Sequence, residues 1–261
     1  MSKWWGSIEF ELNEIKSWGI GERQIIVQRK KNEWVVWNKT SKAENDNELL
    51  LEKIRNLEHL VDVPMNRYLV EKTEQTLLVA PALADRSIII RPGIPLTILP
   101  GQKTELYVSS PLWMSGVTSD RRSQVIDIPF WLPSDSWFGL STMVGELCYA
   151  KYSDAKVELA NIKRRSHRAI TPIVITNHHE DPFVVQRINL PTPLLNLYSN
   201  SSRQFWTDKV HLNHDERVER PSLEIKQLDI YSPSSTFKLV NKAREVADAK
   251  TFMRSIRSLV A

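Results

Sequence analysis

A chain of 261 residues is long for a single β-sandwich and comfortable for two domains of roughly 100–130 residues each. Its 35 basic and 31 acidic side chains leave a net charge of +4, too diffuse to declare a nucleic-acid surface by itself. One cysteine, Cys148, excludes an intrachain disulfide, and no run approaches the roughly 20 apolar residues of a membrane-spanning helix.

The opening MSKWWGSIEFELNE carries acids within its first dozen residues and no apolar run of signal-peptide length, so a soluble, cytoplasmic body is expected. Ile8, Phe10 and Leu12 alternate with polar residues as a half-buried strand does. Gln24–Arg29 and Glu33–Asn38 flank the polar turn at 30–32 and read as a hairpin, with Ile25, Val27, Trp34 and Trp37 on its faces. Asp46 can cap a short helix over 47–58, with Leu50, Ile54 and Leu57 on one side. Short apolar runs follow at Arg67–Glu71, Thr76–Pro81, Ser87–Arg91, Leu96–Leu99 and Thr104–Ser109, about every ten residues. That spacing argues for antiparallel sheets and against alternating β-α units.

Residues Asp127–Ala150, DIPFWLPSDSWFGLSTMVGELCYA, form an aromatic-rich segment that joins the two lobes. Phe130, Trp131, Trp137, Phe138 and Tyr149 crowd a stretch in which Pro129, Pro133, Gly139 and Gly145 forbid a long helix. Strand-like runs then resume at Gly145–Tyr152, Val157–Asn161, Ala169–Thr176, Phe183–Asn189, Leu195–Tyr198, Gln204–Leu212 and Ser222–Asp229. TPIVITN and FVVQRINLP, separated by the turn His178 to Pro182, resemble the strand–turn–strand of immunoglobulin-like domains. The expected fold is therefore mainly β: two antiparallel, immunoglobulin-like β-sandwich lobes at 1–125 and 126–233, with a short helix in the first and an amphipathic C-terminal helix over 234–261.

That final helix, capped by Ser234 or Ser235, would run about 36 Å from Thr236 to Val260. Leu239, Val240, Ala243, Val246 and Ala247 share one face, whereas Phe252, Met253, Ile256, Leu259 and Val260 lie on a face turned by well over 90°. Six basic side chains against two acidic ones concentrate the chain's positive excess here. The pattern suggests a partner-binding stripe of Phe252, Met253, Arg254, Ile256, Arg257 and Val260, offered to a protein helix or an anionic membrane surface. A helix bent near Asp248, with both stripes on its own body, is the plainer alternative.

Catalytic signatures are weak. Ser141 lacks the Gly-x-Ser-x-Gly elbow, Gly19 and Gly21 lack the third glycine of a dinucleotide loop, and no cofactor is implied. His211 and His214, at His-x-x-His spacing in a strand end, need not converge on a metal, and His178, His179, Glu180 and Asp181 read as a solvated turn. Trp131, Asp135, Trp137 and Glu146 form the alternative site: a pocket where a carbohydrate-like ligand stacks on indole rings, with the two carboxylates as an acid–base pair. A carboxylate capping the turn Ser134–Asp135–Ser136 is the plainer and favoured reading of Asp135. The basic run Lys163, Arg164, Arg165, His167 and Arg168 offers phosphate or headgroup contacts, with nucleic acid a distant third choice.

The blocks PALADRSIIIRP, LYVSSPLWM, PSDSWFG, GELCYA, HRAITPIVITN and RINLPTPLLNLY resemble an uncharacterised bacterial and archaeal domain-of-unknown-function family, family 432. The likeness extends to WWGSIEFE and the hairpin IGERQIIVQRKKNEWVVW. It implies one shared fold and supplies no catalytic residues. Members look like gene neighbours of small-conductance-type mechanosensitive channels, which implies a soluble accessory or regulator of an inner-membrane channel. A non-enzymatic interaction protein is accordingly the leading expectation.

Overall fold

Apolar alternation is realised as strand almost throughout: the computed structural model is 57% strand and 3% helical. It describes residues 4–40, 50–54, 60–120, 123–131, 134–139, 145–150, 155–215, 222–228 and 236–246. Several antiparallel sheets, none closed into a barrel among the described residues, carry the architecture. The chain divides into two units: Met1–Ala82 with Leu112–Leu132 and Arg165–His167, and Leu83–Pro111 with Pro133–Arg164 and Arg168–Ala261.

In the first unit a five-stranded antiparallel sheet runs Leu50–Lys53, Ile15–Ile20, Arg23–Arg29, Glu33–Thr40 and Met65–Leu69. Gly21 makes its tightest turn at φ 55°, where a Cβ would also stand 3.3 Å from the Phe130 carbonyl oxygen. Pleating puts Trp18, Ile25, Val27, Trp34 and Val36 on one face and Ile15, Ile26, Val35 and Trp37 on the other. The first face holds the buried Phe10 ring, edge-on to Trp34 at 5.2 Å, while the Trp18 indole N–H donates to the Trp4 carbonyl at 3.0 Å. The second face is covered by Leu60, with Ile54 and Val63 beside it. Arg29 ties the layers by donating to the carbonyls of Phe10 and Thr73, each at 2.9 Å. Gly6–Glu9, Thr76–Ala82, Trp113–Thr118 and Gln124–Pro129 form a second, four-stranded antiparallel sheet.

The second unit is built on Arg168–Asn177, ten residues of which eight are buried. Lys103–Pro111 pairs along its whole length in antiparallel register. On its other side Phe205–Thr207 and Lys209–His214 pair in parallel, leaving a gap between Ile170 and Ile173. Pro172 sits in that gap, where its missing N–H breaks no ladder, and the partner chain breaks at Asp208. Asp208 is fully buried, and its carboxylate accepts from the Tyr198 hydroxyl at 2.6 Å, the Asn196 amide N–H at 2.7 Å and the Asn196 side chain at 2.9 Å. Three donors on one charge are what lets it lie away from water. A smaller sheet joins Asp135–Phe138, Glu146–Ala150, Ile88–Ile90 and Ile188–Leu190, and Leu96–Ile98 pairs with Phe183–Val185.

The sequence-based expectations need correction at several places. The helix expected over 47–58 is instead extended at Leu50–Lys53, which completes the open edge of Ile15–Ile20. A sheet edge offers hydrogen bonds immediately, whereas a three-turn helix is marginal alone. The helix expected over 234–261 is likewise replaced where described: Lys238–Asn241 is a strand on Leu197–Ser199. Beyond it, Ala243 N–H donates to the Asn196 side-chain oxygen, Glu245 N–H to the Pro193 carbonyl and Arg244 Nε to the Leu83 carbonyl. Residues 247–261 lie outside the described residues. The run Val157–Asn161 yields a 3-10 turn at Leu159–Asn161, and Phe183–Asn189 splits into two strands that serve different sheets.

Candidate functional site

The hairpin Asp135–Phe138 and Glu146–Ala150 carries the most distinctive solvent-facing chemistry. Its register pairs Asp135 with Tyr149, Trp137 with Leu147 and Phe138 with Glu146. Alternation then sends Asp135, Trp137, Leu147 and Tyr149 to one face, and Ser136, Phe138, Glu146 and Cys148 to the other. On the first face Trp137 and Leu147 stand directly opposite each other, 41% and 44% exposed. Gly145 makes the indole's position feasible, since a Cβ there would lie 2.2 Å from Trp137 Nε1. The ring therefore lies against bare backbone.

Next to it, Arg86 donates to Asp135 Oδ1 at 3.0 Å and sits 5.3 Å from the centre of the Tyr149 ring. The Tyr149 hydroxyl donates to Asp85 Oδ1 at 2.9 Å, and its backbone N–H to the Ser87 carbonyl at 2.9 Å. Burial, reinforced by the Asp85 carboxylate, pushes the Tyr149 hydroxyl up to about 12. Thr192 fixes the arginine's backbone by donating to the Arg86 carbonyl at 2.6 Å. The result is an aromatic and aliphatic surface beside a neutralised cation–anion pair, held in place by strand backbone.

The opposite face is structural. Phe138, Cys148 and Ile89 form a small buried cluster, Arg187 lies 5.0 Å from the centre of the Phe138 ring, and the Glu146 carboxylate accepts from the Asn189 side chain. Desolvation, then the nearby Glu146 charge, push the Cys148 thiol up to about 11, and its Sγ donates to the Ser136 carbonyl at 3.4 Å. That is the environment of a packed hydrophobe, not of a thiolate nucleophile.

Of the four residues expected to line a ligand pocket, the fold brings only Asp135 and Trp137 onto one surface. Glu146 points to the other face of the hairpin, so the two carboxylates do not converge. Trp131 is buried in the first unit, edge-on to Trp113 at 4.6 Å. His211 and His214, three residues apart on Lys209–His214, project to opposite sides; His214 stacks on Phe183 at 4.4 Å and on His179 at 5.1 Å. Arg168 of the basic run is tied down, donating from Nε to Ser109 Oγ at 2.8 Å. The tail residues Phe252, Met253, Arg254, Ile256, Arg257 and Val260 lie outside the described residues. Sequence reasoning missed Asp85, Arg86 and the seat at Gly145. The signal for the first two was an Asp-Arg pair directly before the apolar run Ser87–Arg91.

A family model described as "Protein of unknown function (DUF432)" matches residues 4–258. The chain belongs to that family. No curated protein and no solved structure matches it. DUF432 membership thus accounts for the sequence blocks and leaves function to be argued from the hairpin face. No helix among the described residues is long and apolar enough to cross a membrane.

Proposed function

We propose that this DUF432 protein works by binding and not by catalysis, with the Trp137–Leu147 face and the adjoining Arg86–Asp135 pair as its contact surface. The observation that carries the reading is the exposed indole seated on Gly145 beside an ordered arginine. Trp, Tyr and Arg dominate the energetics of protein interfaces, and an anchor ordered in advance loses little entropy on binding. In this reading each unit is a sandwich of immunoglobulin-like type, supported in the first by two antiparallel sheets and by the Phe10 ring packed on Trp18 and Trp34. A membrane protein of the mechanosensitive-channel kind is the partner class to test first, on the strength of the family resemblance, with the tail beyond residue 246 as a second contact. The test is capture from solubilised membranes with the full chain and with Trp137→Ala/Leu147→Ser. A partner held by the parent, lost by the double variant and rebound when purified supports the reading. Equal capture by both chains at equal thermal stability overturns it.

A ligand-binding reading, with a carbohydrate stacked on the indole, draws support from Asp135 lying on the same face as Trp137. It loses the acid pair that hydrolysis would need. Saturation-transfer NMR with a panel of oligosaccharides separates it from the first, because only a sugar site would transfer to the glycan and lose that transfer in Trp137→Ala.

A further inference from the structure

The turn after the central strand of the second unit is wound around Asn177, which is fully buried. Asn177 accepts the His179 N–H at 3.0 Å and donates to the carbonyls of Asp181 at 2.8 Å and Ile98 at 3.0 Å. Within this turn His179 Nδ1 accepts the backbone N–H of Asp181 at 3.0 Å. An accepting Nδ1 carries its lone pair, which is the geometry of the Nε2–H tautomer. The Asp181 carboxylate Oδ2 waits 3.5 Å from that same Nδ1, an interaction that requires the ring to be charged. One nitrogen thus has two mutually exclusive partners, chosen by a proton.

The neighbouring ring makes the choice cooperative. His214 lies on His179 with centroids 5.1 Å apart and planes 25° apart, and on Phe183 at 4.4 Å and 20°. The His178 N–H donates to the His214 carbonyl at 2.7 Å, tying the turn to the end of Lys209–His214. His214 Nδ1 is buried with no hydrogen-bond partner among the described residues. Burial, then the adjacent His179, hold His214 below the usual imidazole range, while Asp215 pulls the other way. Asp181 stands beside the His179 ring and Asp215 acts on His214, while His178 and Glu180 flank His179 in the turn.

We infer that the turn 177–183 and the end of strand Lys209–His214 form a proton-operated latch: acid transfers His179 Nδ1 from the Asp181 amide to the Asp181 carboxylate, and the second imidazolium breaks the stack and uncovers Phe183. The sign follows from the stack. A ring held below 6.5 in the closed state contributes stability that is complete above that pH and is lost as pH falls through it toward the depressed value. Opening loosens the short sheet of Leu96–Ile98 and Phe183–Val185, because Asn177 and Phe183 anchor it to the latch.

The experiment uses the full-length, 15N-labelled chain. Long-range imidazole spectra report the tautomer, and amide exchange at His179 and Asp181, corrected for the intrinsic rate, reports opening between pH 8 and 5. The latch requires the Nε2–H tautomer of His179 at pH 8 and a loss of protection of about tenfold by pH 5, a change of about 1.4 kcal/mol in opening. His214→Phe keeps a stacked ring without a titrating one and moves the loss to lower pH, as does Asp181→Asn. An Nδ1–H tautomer at pH 8, protection unchanged to pH 5, or the same midpoint in both variants overturns the latch. Should either variant fail to fold, the tautomer and exchange profile of the unaltered chain decide the matter alone.

Discussion

Gly145→Ala probes the hairpin face at the point where its geometry is most exacting. A Cβ at this position would stand 2.2 Å from Trp137 Nε1, 2.6 Å from Cε2 and 2.7 Å from the Phe138 carbonyl oxygen. Unstrained contacts lie near 3.5–4.0 Å, so each overlap exceeds roughly 0.8 Å. Relief requires the indole to leave its seat and the backbone oxygen to shift, an overpacking penalty of about 1–3 kcal/mol. Loss of glycine's freedom in the unfolded chain returns about 0.4–1 kcal/mol. The expected net loss is about 1–2 kcal/mol in urea unfolding, or about 2–8 °C in melting temperature for a chain of this size. Trp137→Ala removes two of the three clashes, so the double variant should be more stable than the sum of single effects predicts, by about 1 kcal/mol. A Gly145→Ala protein as stable as the parent, or strictly additive effects, would refute the seating of the indole on this glycine.

The remaining expectations concern the buried polar groups. Tyr198→Phe deletes the 2.6 Å hydrogen bond to the buried Asp208 carboxylate and should cost about 1.5–3 kcal/mol in urea unfolding; an unchanged midpoint rules out a charge-bearing role for that bond. Asn196→Ala removes both the side-chain donor to Asp208, one of its three, and the acceptor for Ala243 N–H, so limited trypsin digestion should cut after Lys242 or Arg244 faster than in the parent, and equal rates would contradict the docking of this segment. Cys148, buried and raised to about 11, should resist a thiol reagent at pH 8 until denaturant is added; rapid native labelling would show that it is accessible. Tyr149 and Tyr198 both have folded values above the unfolded 10, the first at about 12. Their contribution is therefore complete below pH 10 and declines above it, at up to about 1.4 kcal/mol per pH unit for each tyrosine. A urea midpoint that stays flat from pH 9 to 11.5 would contradict this.

What the residues determined unaided was local. Alternation placed the hairpin strands Arg23–Arg29 and Glu33–Thr40 within two residues at each end, and later strands such as Thr76–Ala82, Lys103–Pro111 and Arg168–Asn177 equally closely, because side-chain period is a property of neighbouring residues; Trp113–Thr118 and Gln124–Pro129 it left unread. Burial of Ile25, Val27, Trp34 and Trp37 followed from the same pattern. Pairing is another matter. Leu50–Lys53 and Lys238–Asn241 had helical spacing of their apolar residues, yet each lies along a strand edge whose unpaired backbone groups come from a distant part of the chain. An edge outbids a short helix because it satisfies hydrogen bonds at once, and no window of sequence contains that edge. The candidate site divides in the same way. Trp137 and Asp135 were visible as an aromatic and an acid in a rigid segment, but the face they share is set by strand register. Only the tertiary structure turned Glu146 away, placed Trp131 in the first unit and brought Asp85 and Arg86 to Tyr149 from more than 60 residues earlier. Long-range pairing chose the members of the site; composition had supplied the candidates.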